Sequence, residues 1–345
     1  MLLLNYKPVL EQPTGIGVYA NALLPALRDF EHILIPGGGS GSGRDRLKRL
    51  AWSQFQLPRL AMKMKVKLIF TPAPEGYLGE QIIPQVVMVH DLRPLSHPER
   101  SMQSIYFKNW VPPLLQQCKH IFTNSNFTAS EIRLAADISE DKISVIPLGY
   151  DSEHFYPSVN DTRLHDRQYL LHIGQAYPHK NLRRLIQVFK AIAPRYPDVD
   201  LLLLGKPHPT ETPILKRLVL ELGLSDRILF KSYINYEDLP VWYRGAIAFI
   251  YPSLWEGFGL PILEAMGCGC PVITSRGSGT EELAADAAYL IDPESFDEIF
   301  RSIAFMIENQ GSIYIERGAK TSAQFSWTTT QELTRKTLSS LLATL

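Results

Sequence analysis

No apolar run in this sequence of 345 residues approaches the roughly 18–20 residues that a membrane-spanning helix requires. Its three cysteines are too few, and odd in number, for a disulfide framework, so we expect buried thiols in a reducing cytoplasm. The 35 acidic and 35 basic residues cancel, which gives no support for nucleic-acid binding. These shortages predict a globular cytoplasmic protein that does not act on nucleic acid.

What the sequence does contain is two successive alternations of short β-rich runs and amphipathic helices. Such alternation predicts parallel, doubly wound sheets. The length suits two domains, since single cores seldom grow past roughly 250–300 residues. Loop-forming residues over 147–168 mark the hinge between them. Beyond the first strand, the predicted strands are 32–35, 66–70, 85–89, 120–123 and 143–146, then 169–174, 199–204, 228–230, 246–250, 271–274 and 288–291, with helices that include 101–118 and 127–136.

The stretch from Pro252 to Met266 organises the second alternation. It follows a predicted buried strand and turns through two glycines into a helix. This geometry collects backbone N–H groups and the positive end of a helix dipole, which suits a phosphate. Glu256 and Glu264 bracket the turn, so both carboxylates can face one ligand. The alternative is a helix entry with two solvated glutamates.

Three other places are predicted to approach a ligand. Gly15 and Gly17 form a G-x-G-x-x-A pattern, but the acidic ribose ligand of a dinucleotide site is missing. We interpret them as a glycine loop whose backbone approaches a substrate. His90 follows a strand at its carboxyl end, where open α/β sheets bind ligands. Lys180 lies just before a helix start, placed to meet phosphate as a point charge.

Residues 44–67 form a basic segment with eight cationic residues and one acidic residue, directly after a glycine-rich stretch. One interpretation is a helix and linker on the domain surface. The other is a basic, partly apolar face that lies against an anionic membrane surface or a lipid-linked acceptor.

Taken together and in order, these landmarks resemble the retaining glycosyltransferases of family 4, which have the GT-B architecture. The likeness extends over nearly the whole chain and is strongest to the mannosyltransferase-like bacterial branch. Its most specific part is the pattern E-G-F-G-L-P-x-x-E-A at 256–265. The other matching pieces are 14–17, 90–92, 124–128, 145–149, 178–181, 205–206, 252–253, 269–273 and 325–327.

The resemblance implies an α/β fold of two facing Rossmann-like domains. Residues 1–150 would form the acceptor-side domain, completed by a C-terminal helix at 326–345 that crosses back to it. Residues 151–325 would form the domain that binds the nucleotide-sugar donor.

The resemblance also implies residue roles. Glu264 would hold the ribose hydroxyls, Lys180 would neutralise the diphosphate, and the backbone near Ile234 would touch the base. Glu256 and the amides of the glycine turn would grip the sugar and the diphosphate. The implied catalytic residues are His90 and Glu256, and the implied substrate-binding residues are Gly15, Gly17, Gly174, His179, Lys180, Ile234, Gly257, Phe258, Gly259, Leu260 and Glu264.

The activity that the resemblance implies is transfer of a sugar from a nucleotide-sugar to a glycan or lipid-linked saccharide, with retention and without a metal or other cofactor. GDP-mannose is the favoured donor and UDP-sugars come next. The enzyme would work in the cytoplasm, with peripheral contact to the inner membrane face through 44–67. Two alternatives stay open: a GT-B sugar-nucleotide epimerase, and a non-catalytic protein that binds nucleotide-sugars.

Two positions differ from the family pattern, one from the family as a whole and one from the mannosyltransferase-like branch. Gln175 stands where much of the family has an arginine, and His179 where the branch often has another. The diphosphate would then rely on Lys180, the helix N-terminus and a partly protonated His179, or on Arg183 or Arg184. Separately, residues 198–200 spell D-x-D, which holds a divalent metal in other sugar transferases. They open a strand at the edge opposite the ligand-binding ends, so we interpret them as a surface feature.

Overall fold

The computed structural model describes residues 1–10, 15–38, 43–80, 82–98, 101–158, 164–232, 234–309 and 311–345. The chain divides into two compact units. The N-terminal unit comprises 1–149 and 327–345, and the C-terminal unit comprises 150–326. Within these described residues, no helix is both long and apolar enough to cross a membrane.

The N-terminal unit is built on a parallel sheet of six strands in the order β2-β1-β3-β4-β5-β6. Most of these strands are buried along their whole length, as expected for a parallel sheet covered by helices on both faces. The strands are β1 (Leu2–Asn5), β2 (His32–Ile35), β3 (Leu68–Thr71), β4 (Gln85–Val89), β5 (His120–Thr123) and β6 (Ile143–Val145).

The C-terminal unit repeats this architecture with the strand order β12-β11-β10-β7-β8-β9. The chain builds outward from β7 to β9, then returns to lay β10 on the other side of β7. The ends of β7 and β10 therefore form a switch point, where ligands bind in sheets of this kind. The strands are β7 (Gln168–Ile173), β8 (Val199–Leu204), β9 (Ile228–Lys231), β10 (Ala248–Tyr251), β11 (Val272–Ser275) and β12 (Tyr289–Ile291).

Helices connect the strands of both sheets, which confirms the predicted doubly wound α/β class. In the helix after β7, for example, Leu185, Ile186 and Phe189 are fully buried on one face against the sheet. The helices are α1 (Gly15–Leu27), α2 (Gly43–Phe55), α3 (Leu57–Lys63), α4 (Arg93–Ser96), α5 (Met102–Asn109), α6 (Val111–Gln117), α7 (Asn126–Ala136), α8 (Leu182–Ile192), α9 (Glu211–Glu221), α10 (Leu239–Gly245), α11 (Leu260–Gly267), α12 (Gly279–Ala284), α13 (Phe296–Asn309), α14 (Ser312–Ser322) and α15 (Trp327–Ala343).

The C-terminal helix α15 belongs to the N-terminal unit, as the family resemblance predicted. Gln331 Nε2 donates a 2.6 Å hydrogen bond to the carbonyl of Ala22 in α1. Thr330 Oγ1 donates to the carbonyl of Pro147 at 2.8 Å. These bonds fix the start of α15 beside α1 and the end of the sheet.

Two predictions about helices are corrected. The single helix predicted over 101–118 is two helices, α5 and α6, which meet at Trp110. Pro112 and Pro113 lack N–H groups and would disrupt the middle of a single helix, but they are tolerated in the first turn of α6. Gly15 and Gly17 were predicted in a loop, yet both lie in the first turn of α1, with Gly17 buried. Pro13 and Thr14, which begin that predicted loop, fall outside the described residues.

The D-x-D sequence is also corrected in part, because only Asp198 is a surface residue. Asp200 is 1% exposed. Its Oδ1 lies 2.9 Å from Arg227 Nε and 3.0 Å from Arg167 Nε, and its Oδ2 lies 2.8 Å from His165 Nε2. A buried carboxylate is tolerated when surrounding cations compensate its desolvation. Asp200 therefore holds together the N-terminal end of β8, the segment before β7 and the segment before β9.

We expect Asp200→Ala to lower the free energy of unfolding of the C-terminal unit by about 2–4 kcal/mol, because it leaves neighbouring cations without their counter-charge. Asp198→Ala is the matched control, with an expected change below about 0.5 kcal/mol at this exposed position. Urea denaturation followed by circular dichroism measures both. Equal stability of the two variants would show that the carboxylate of Asp200 contributes nothing to the fold.

Candidate functional site

The segment between β10 and α11 lies at the switch point of the C-terminal sheet. Gly259 is the N-cap of α11 and has a φ of +110°, a backbone conformation that residues with a side chain rarely adopt. A Cβ there would also lie 3.0 Å from Ile262 Cδ1 and 3.1 Å from Thr280 Cγ2. Pro261 occupies the first turn of α11, as predicted. The glycine turn therefore has a conformation that few other sequences permit.

Two neighbouring elements hold this turn in place. The N–H of Gly279, at the start of α12, donates to the carbonyl of Glu256 at 2.9 Å. The N–H of Leu254 donates to the carbonyl of His179 at 2.7 Å. The second bond joins the loop after β10 to the loop after β7, which brings the two predicted phosphate-binding segments into direct contact.

Lys180 and Glu256 form an ion pair between these two loops. Lys180 Nζ lies 2.5 Å from Glu256 Oε1 and 2.6 Å from the hydroxyl of Tyr251, and it stands 4.5 Å from the centroid of the tyrosine ring. The side chains of Lys180 and Glu256 are only 12% and 14% exposed. His179 Nε2 lies 3.9 Å from the same carboxylate oxygen. The structure thus brings together three residues that the sequence predicted for the site.

Burial and charge set the protonation states in this cluster. Burial alone lowers the pKa of Lys180, but the Glu256 carboxylate and the Tyr251 hydroxyl outweigh it and raise that pKa above its usual value. Burial and then Glu256 raise the pKa of Tyr251 well above the ordinary range. At neutral pH the cluster therefore contains a charged ammonium, which can donate a hydrogen bond to an anion, and a protonated phenol that hydrogen-bonds to Glu256.

Glu264, on the second turn of α11, lies in a different environment. It accepts a 2.9 Å hydrogen bond from the hydroxyl of Tyr243 on α10. Burial raises the pKa of Glu264 to about 7, although the bond from Tyr243 opposes the shift. Its charge therefore changes near neutral pH. When ionised, its oxygens can accept hydrogen bonds from the two hydroxyls of a vicinal diol.

An aromatic stack lies beside Glu264. Tyr236 follows Ile234 in the loop after β9 and is partly exposed. Its ring stacks on His154 with centroids 4.2 Å apart and planes within 11°. Burial, then Asp151 and Glu264, raise the pKa of Tyr236 above the ordinary range. The carboxylate of Glu264 is therefore close enough to affect Tyr236, in the loop that also contains Ile234, the predicted base contact.

His172 in β7 is a polar group that the sequence analysis missed. Its Nδ1 donates to the carbonyl of Ile250 at 2.9 Å, while its buried Nε2 has no hydrogen-bond partner within the described part of the chain. A Cβ at Gly174 would lie 3.6 Å from that Nε2. Burial lowers the pKa of His172 to about 4, so the Nε2 lone pair is an acceptor at neutral pH. Gly174, with φ of +148°, ends β7 beside it.

The remaining predicted residues lie in the N-terminal unit or do not reach the loops at the switch point. His90 follows β4, with Nε2 3.1 Å from the carbonyl of Pro72 and its ring 4.9 Å from that of Tyr19. Burial lowers the pKa of His90 to about 4, so it is neutral at pH 7. Gly15 and Gly17 lie at the start of α1.

Arg183 and Arg184, suggested as replacements for the missing cation, each have a partner elsewhere in the C-terminal unit. Arg183 forms a two-pronged ion pair with Glu211, at 2.5 and 2.7 Å. Arg184 donates to the carbonyl of Glu294 at 2.5 Å. The partner of Arg183 lies at the start of α9, and that of Arg184 lies between β12 and α13. Gln175, where an arginine is common in the family, lies with Nε2 3.4 Å from the carbonyl of Pro207.

The sequence contains no clear signal for three of the residues that lie at or near the site. Tyr243, Tyr251 and His172 lie in apolar runs, where an aromatic side chain is more often part of the core than a ligand contact.

No group of three or more His, Cys, Asp or Glu side chains in the described ranges is arranged to hold a metal ion.

Two protein-family models match this chain, roughly one for each unit. The family model described as glycosyl transferases group 1 matches residues 159–324, and the model described as glycosyltransferase family 4 matches 15–154. O-antigen chain mannosyltransferase B of Escherichia coli is 32% identical over 74% of this chain and 70% of its own length. O-antigen chain mannosyltransferase RfbU of Salmonella typhimurium is 30% identical over 61% of this chain and 57% of its own length.

Solved structures show the same fold over the full chain. Sucrose-phosphate synthase from Thermosynechococcus elongatus aligns with a TM-score of 0.81, covering 100% of this chain and 99% of its own at 19% identity. HepE of Anabaena, in complex with UDP-glucose, aligns with a TM-score of 0.78, covering 99% and 100% at 20% identity. The architecture of two Rossmann-like units is therefore that of the GT-B fold.

The raised pKa of Glu264 predicts a pH-dependent stability. The ordinary pKa of this side chain is 4.5, against about 7 in the folded protein. The folded state binds the proton more tightly, so its stability falls as the pH rises from 4.5 through 7. Glu264→Gln removes this loss and should raise the free energy of unfolding at pH 8 by roughly 1–3 kcal/mol, but not at pH 4.5.

Thermal unfolding at pH 4.5 and pH 8 measures this effect without any ligand. Glu221→Gln is the matched control, because Glu221 is exposed at the end of α9 and should give the same difference from the wild type at both values. A Glu264→Gln variant that is no more stable than the wild type at pH 8 would mean that the carboxylate is not desolvated.

Proposed function

This chain belongs to the group 1 glycosyltransferases of family 4, and we propose that it transfers mannose from GDP-mannose to a glycan or lipid-linked saccharide. The transfer retains the anomeric configuration and needs no metal ion. The observation that carries this proposal is the cluster of Lys180, Glu256 and Tyr251 beside the glycine turn, at the switch point of the C-terminal sheet. Its hydrogen-bond donors suit a diphosphate.

The choice of sugar rests on relatives. Both O-antigen relatives described above are named mannosyltransferases, which favours mannose and hence GDP-mannose as the donor. The HepE structure contains UDP-glucose, so a UDP-sugar is the second candidate. Neither the epimerase nor the non-catalytic binding protein gains support, because the curated relatives named above are transferases.

In the proposed mechanism, Lys180, the amides of the turn and the start of α11 stabilise the charge that develops on the leaving diphosphate. Such preorganised donors usually contribute more to catalysis than any other single effect in reactions of this kind. Glu264 accepts hydrogen bonds from the ribose hydroxyls. In neutral His90 the Nε2–H donates to the carbonyl of Pro72, so Nδ1 is the ring nitrogen that can accept a hydrogen bond from a sugar hydroxyl. Because Lys180 and the backbone provide positive charge, the leaving group can depart without a metal.

Retention is proposed to occur by departure and attack on the same face of the sugar. Double displacement would need a carboxylate free to attack the anomeric carbon. Glu256 is held by Lys180 at 2.5 Å, which weakens it as a nucleophile and suits it to accept sugar hydroxyls. This contact is what favours the same-face path.

We expect the purified protein to transfer labelled mannose from GDP-mannose to a mannose-terminated oligosaccharide, and to keep most of its rate in excess EDTA. Lys180→Gln should raise the dissociation constant of GDP by roughly tenfold to a hundredfold, since charged hydrogen bonds contribute about 1.5–3 kcal/mol. Lys190→Gln on the exposed face of α8 is the control and should bind GDP normally. NMR of the product reports the anomeric configuration.

Different outcomes reject different parts of this proposal. Interconversion of the donor without transfer identifies an epimerase, and binding alone identifies a non-catalytic protein. Loss of rate in EDTA that manganese restores rejects metal independence. Inversion in the product rejects the same-face path.

We also propose peripheral contact with the cytoplasmic face of the membrane through residues 44–67. Helices α2 and α3 combine exposed apolar side chains with many cations; Leu47 is 53% exposed and Phe55 61%. Each Lys or Arg near an anionic bilayer contributes about 1 kcal/mol, an attraction that salt screens.

The protein should therefore co-sediment with anionic vesicles but not with neutral ones. It should detach from the anionic vesicles at about 0.5 M salt. Replacing Arg44, Arg46, Lys65 and Lys67 by glutamine should weaken the association, because all four are exposed in this segment. GDP affinity of the same variant is the control and should not change. Equal recovery in the supernatant with both vesicle types would reject membrane contact.

A further inference from the structure

Helix α1 places a buried tyrosine beside His90. The inner face of this helix carries Tyr19, Leu23 and Leu27, which are four residues apart and fully buried. The two leucines are ordinary core residues. Tyr19 differs from them, because the centroid of its ring lies 4.9 Å from that of His90, with the two ring planes at 83°. This edge-to-face arrangement is one of those that aromatic rings prefer.

Three contacts hold His90 from different directions. Its backbone carbonyl accepts a 3.1 Å hydrogen bond from Asn124 Nδ2, directly after β5. Its ring Nε2 lies 3.1 Å from the carbonyl of Pro72, directly after β3. The ring of Tyr19 covers a third side. His90 is nevertheless partly exposed, so part of it can meet a ligand at the carboxyl end of β4.

The hydrogen bond to Pro72 does not by itself fix the plane of the imidazole. It selects the tautomer, since Nε2 must carry the proton and Nδ1 is left with a lone pair. A single hydrogen bond tolerates a broad range of angles, however, and the torsion that turns a histidine ring has no sharp minimum. The direction of the Nδ1 lone pair of His90 therefore depends on what packs against the ring, which is Tyr19.

Tyr19 is in turn held by the C-terminal helix. Burial raises the pKa of Tyr19 well above its usual value, Tyr6 adds to this rise, and the hydroxyl of Thr334 in α15 opposes it. Thr334 therefore lies beside the phenol, and it is fully buried. The hydroxyl of Tyr6 donates to the carbonyl of Ala20 at 2.8 Å, which fixes α1 at the residue next to Tyr19. The tyrosine ring is thus enclosed by elements from both ends of the N-terminal unit.

We propose that Tyr19 is a positioning residue for the transfer reaction. Its ring, backed by Thr334 of α15, holds the imidazole of His90 in the plane in which Nδ1 accepts a hydrogen bond from a hydroxyl of the donor sugar. Tyr19 is itself fully buried, so it acts only through His90. This inference rests on the proposed transferase function, because it requires His90 to contact the donor sugar.

The orientation of His90 can be measured without any substrate. Nitrogen-15 NMR of the full-length protein, labelled at its histidines, distinguishes the two neutral tautomers of a ring, and a pH titration gives its pKa. The signals of His90 are those that disappear in His90→Gln. In the wild type we expect only the tautomer with the proton on Nε2, and a pKa of about 4, because burial lowers it.

Tyr19→Leu removes the ring but keeps an apolar side chain. The imidazole of His90 should then populate both tautomers, and its pKa should rise towards the ordinary 6.5, because it becomes better hydrated. Tyr19→Phe keeps the ring and should restore the wild-type signals. Tyr19→Met fills the space with a flexible chain and should behave like Tyr19→Leu, so the test survives if one of these two variants fails to fold.

Phe122→Leu is the matched control for a general loosening of the core. Phe122 is fully buried in the same sheet, and its ring contacts Phe70 and His120. This variant should lose stability as Tyr19→Leu does, but the signals of His90 should not change.

Kinetics separate a positioning role from a structural one. Tyr19→Leu should lower kcat/KM for GDP-mannose by roughly threefold to tenfold, which is the usual contribution of one neutral hydrogen bond. Tyr19→Phe should restore the rate. GDP lacks the sugar that His90 is proposed to contact, so its dissociation constant should equal that of the wild type in both variants.

Three results would overturn the proposal. The first is a Tyr19→Leu variant in which His90 keeps the wild-type tautomer and pKa. The second is an altered His90 together with an unchanged kcat/KM. The third is an equal loss of rate in Phe122→Leu, which would mean that any loosening of this core slows transfer.

Failure of the transferase proposal gives a different pattern. If the wild type transfers no sugar, that proposal is rejected and the role of Tyr19 in transfer is rejected with it. The NMR measurement still decides separately whether Tyr19 orients His90, because it needs neither donor nor acceptor.

Discussion

The ion pair between Lys180 and Glu256 is the contact on which the architecture of the donor side depends. It joins the loops after β7 and β10, and the bond from Leu254 to His179 closes the same junction. Because both side chains are largely buried, loss of either would leave a charge without compensation. The ammonium of Lys180 has three N–H donors, so a diphosphate can accept one of them while Glu256 and Tyr251 keep theirs. In the proposed complex the diphosphate and the sugar-binding carboxylate then share one cation, so binding of the two ends of the donor is coupled.

Burial gives the two ends of this site different responses to pH. Lys180 stays charged because the attraction of Glu256 and Tyr251 exceeds the cost of desolvation. Glu264 has only a hydrogen bond from Tyr243 to set against its burial among the described residues, so its pKa rises to about 7. His172 has its pKa lowered to about 4 and does not titrate in this range. The pH sensitivity expected for the nucleotide end therefore originates in a carboxylate rather than in a histidine.

The sequence was sufficient to predict the features that local patterns determine. Alternating apolar runs predicted the two parallel sheets, and two glycines followed by Pro261 predicted the turn into α11. The ends of elements were less accurate: Gly15 lies inside α1 rather than in a loop, because the chain can begin a helix with a glycine. Asp200 looked like a surface residue because nothing near it in sequence shows that Arg227 lies against it.

The partners of the site residues could not be predicted for the same reason. Tyr251 contacts Lys180 across 71 residues of sequence, and Tyr243 contacts Glu264 across 21. Each tyrosine occurs in an apolar run that is explained equally well by core packing. Only the fold shows that their hydroxyls emerge beside charged groups. The pKa values of those groups depend on such distant neighbours, so the electrostatic character of the site was not visible in the motif.

The departures from the family pattern have a structural consequence for how the diphosphate charge is met. Gln175 provides no cation at the end of β7, and the guanidinium groups of Arg183 and Arg184 are held by Glu211 and by a backbone carbonyl. Positive potential at the turn must then come chiefly from Lys180 and from the backbone N–H groups at the start of α11. Peptide dipoles do not titrate, and the fold fixes their direction before any ligand arrives. We therefore expect a site of this composition to depend on the geometry of the turn as much as on its cations, and Gly259, with its left-handed backbone and crowded Cβ position, sets that geometry.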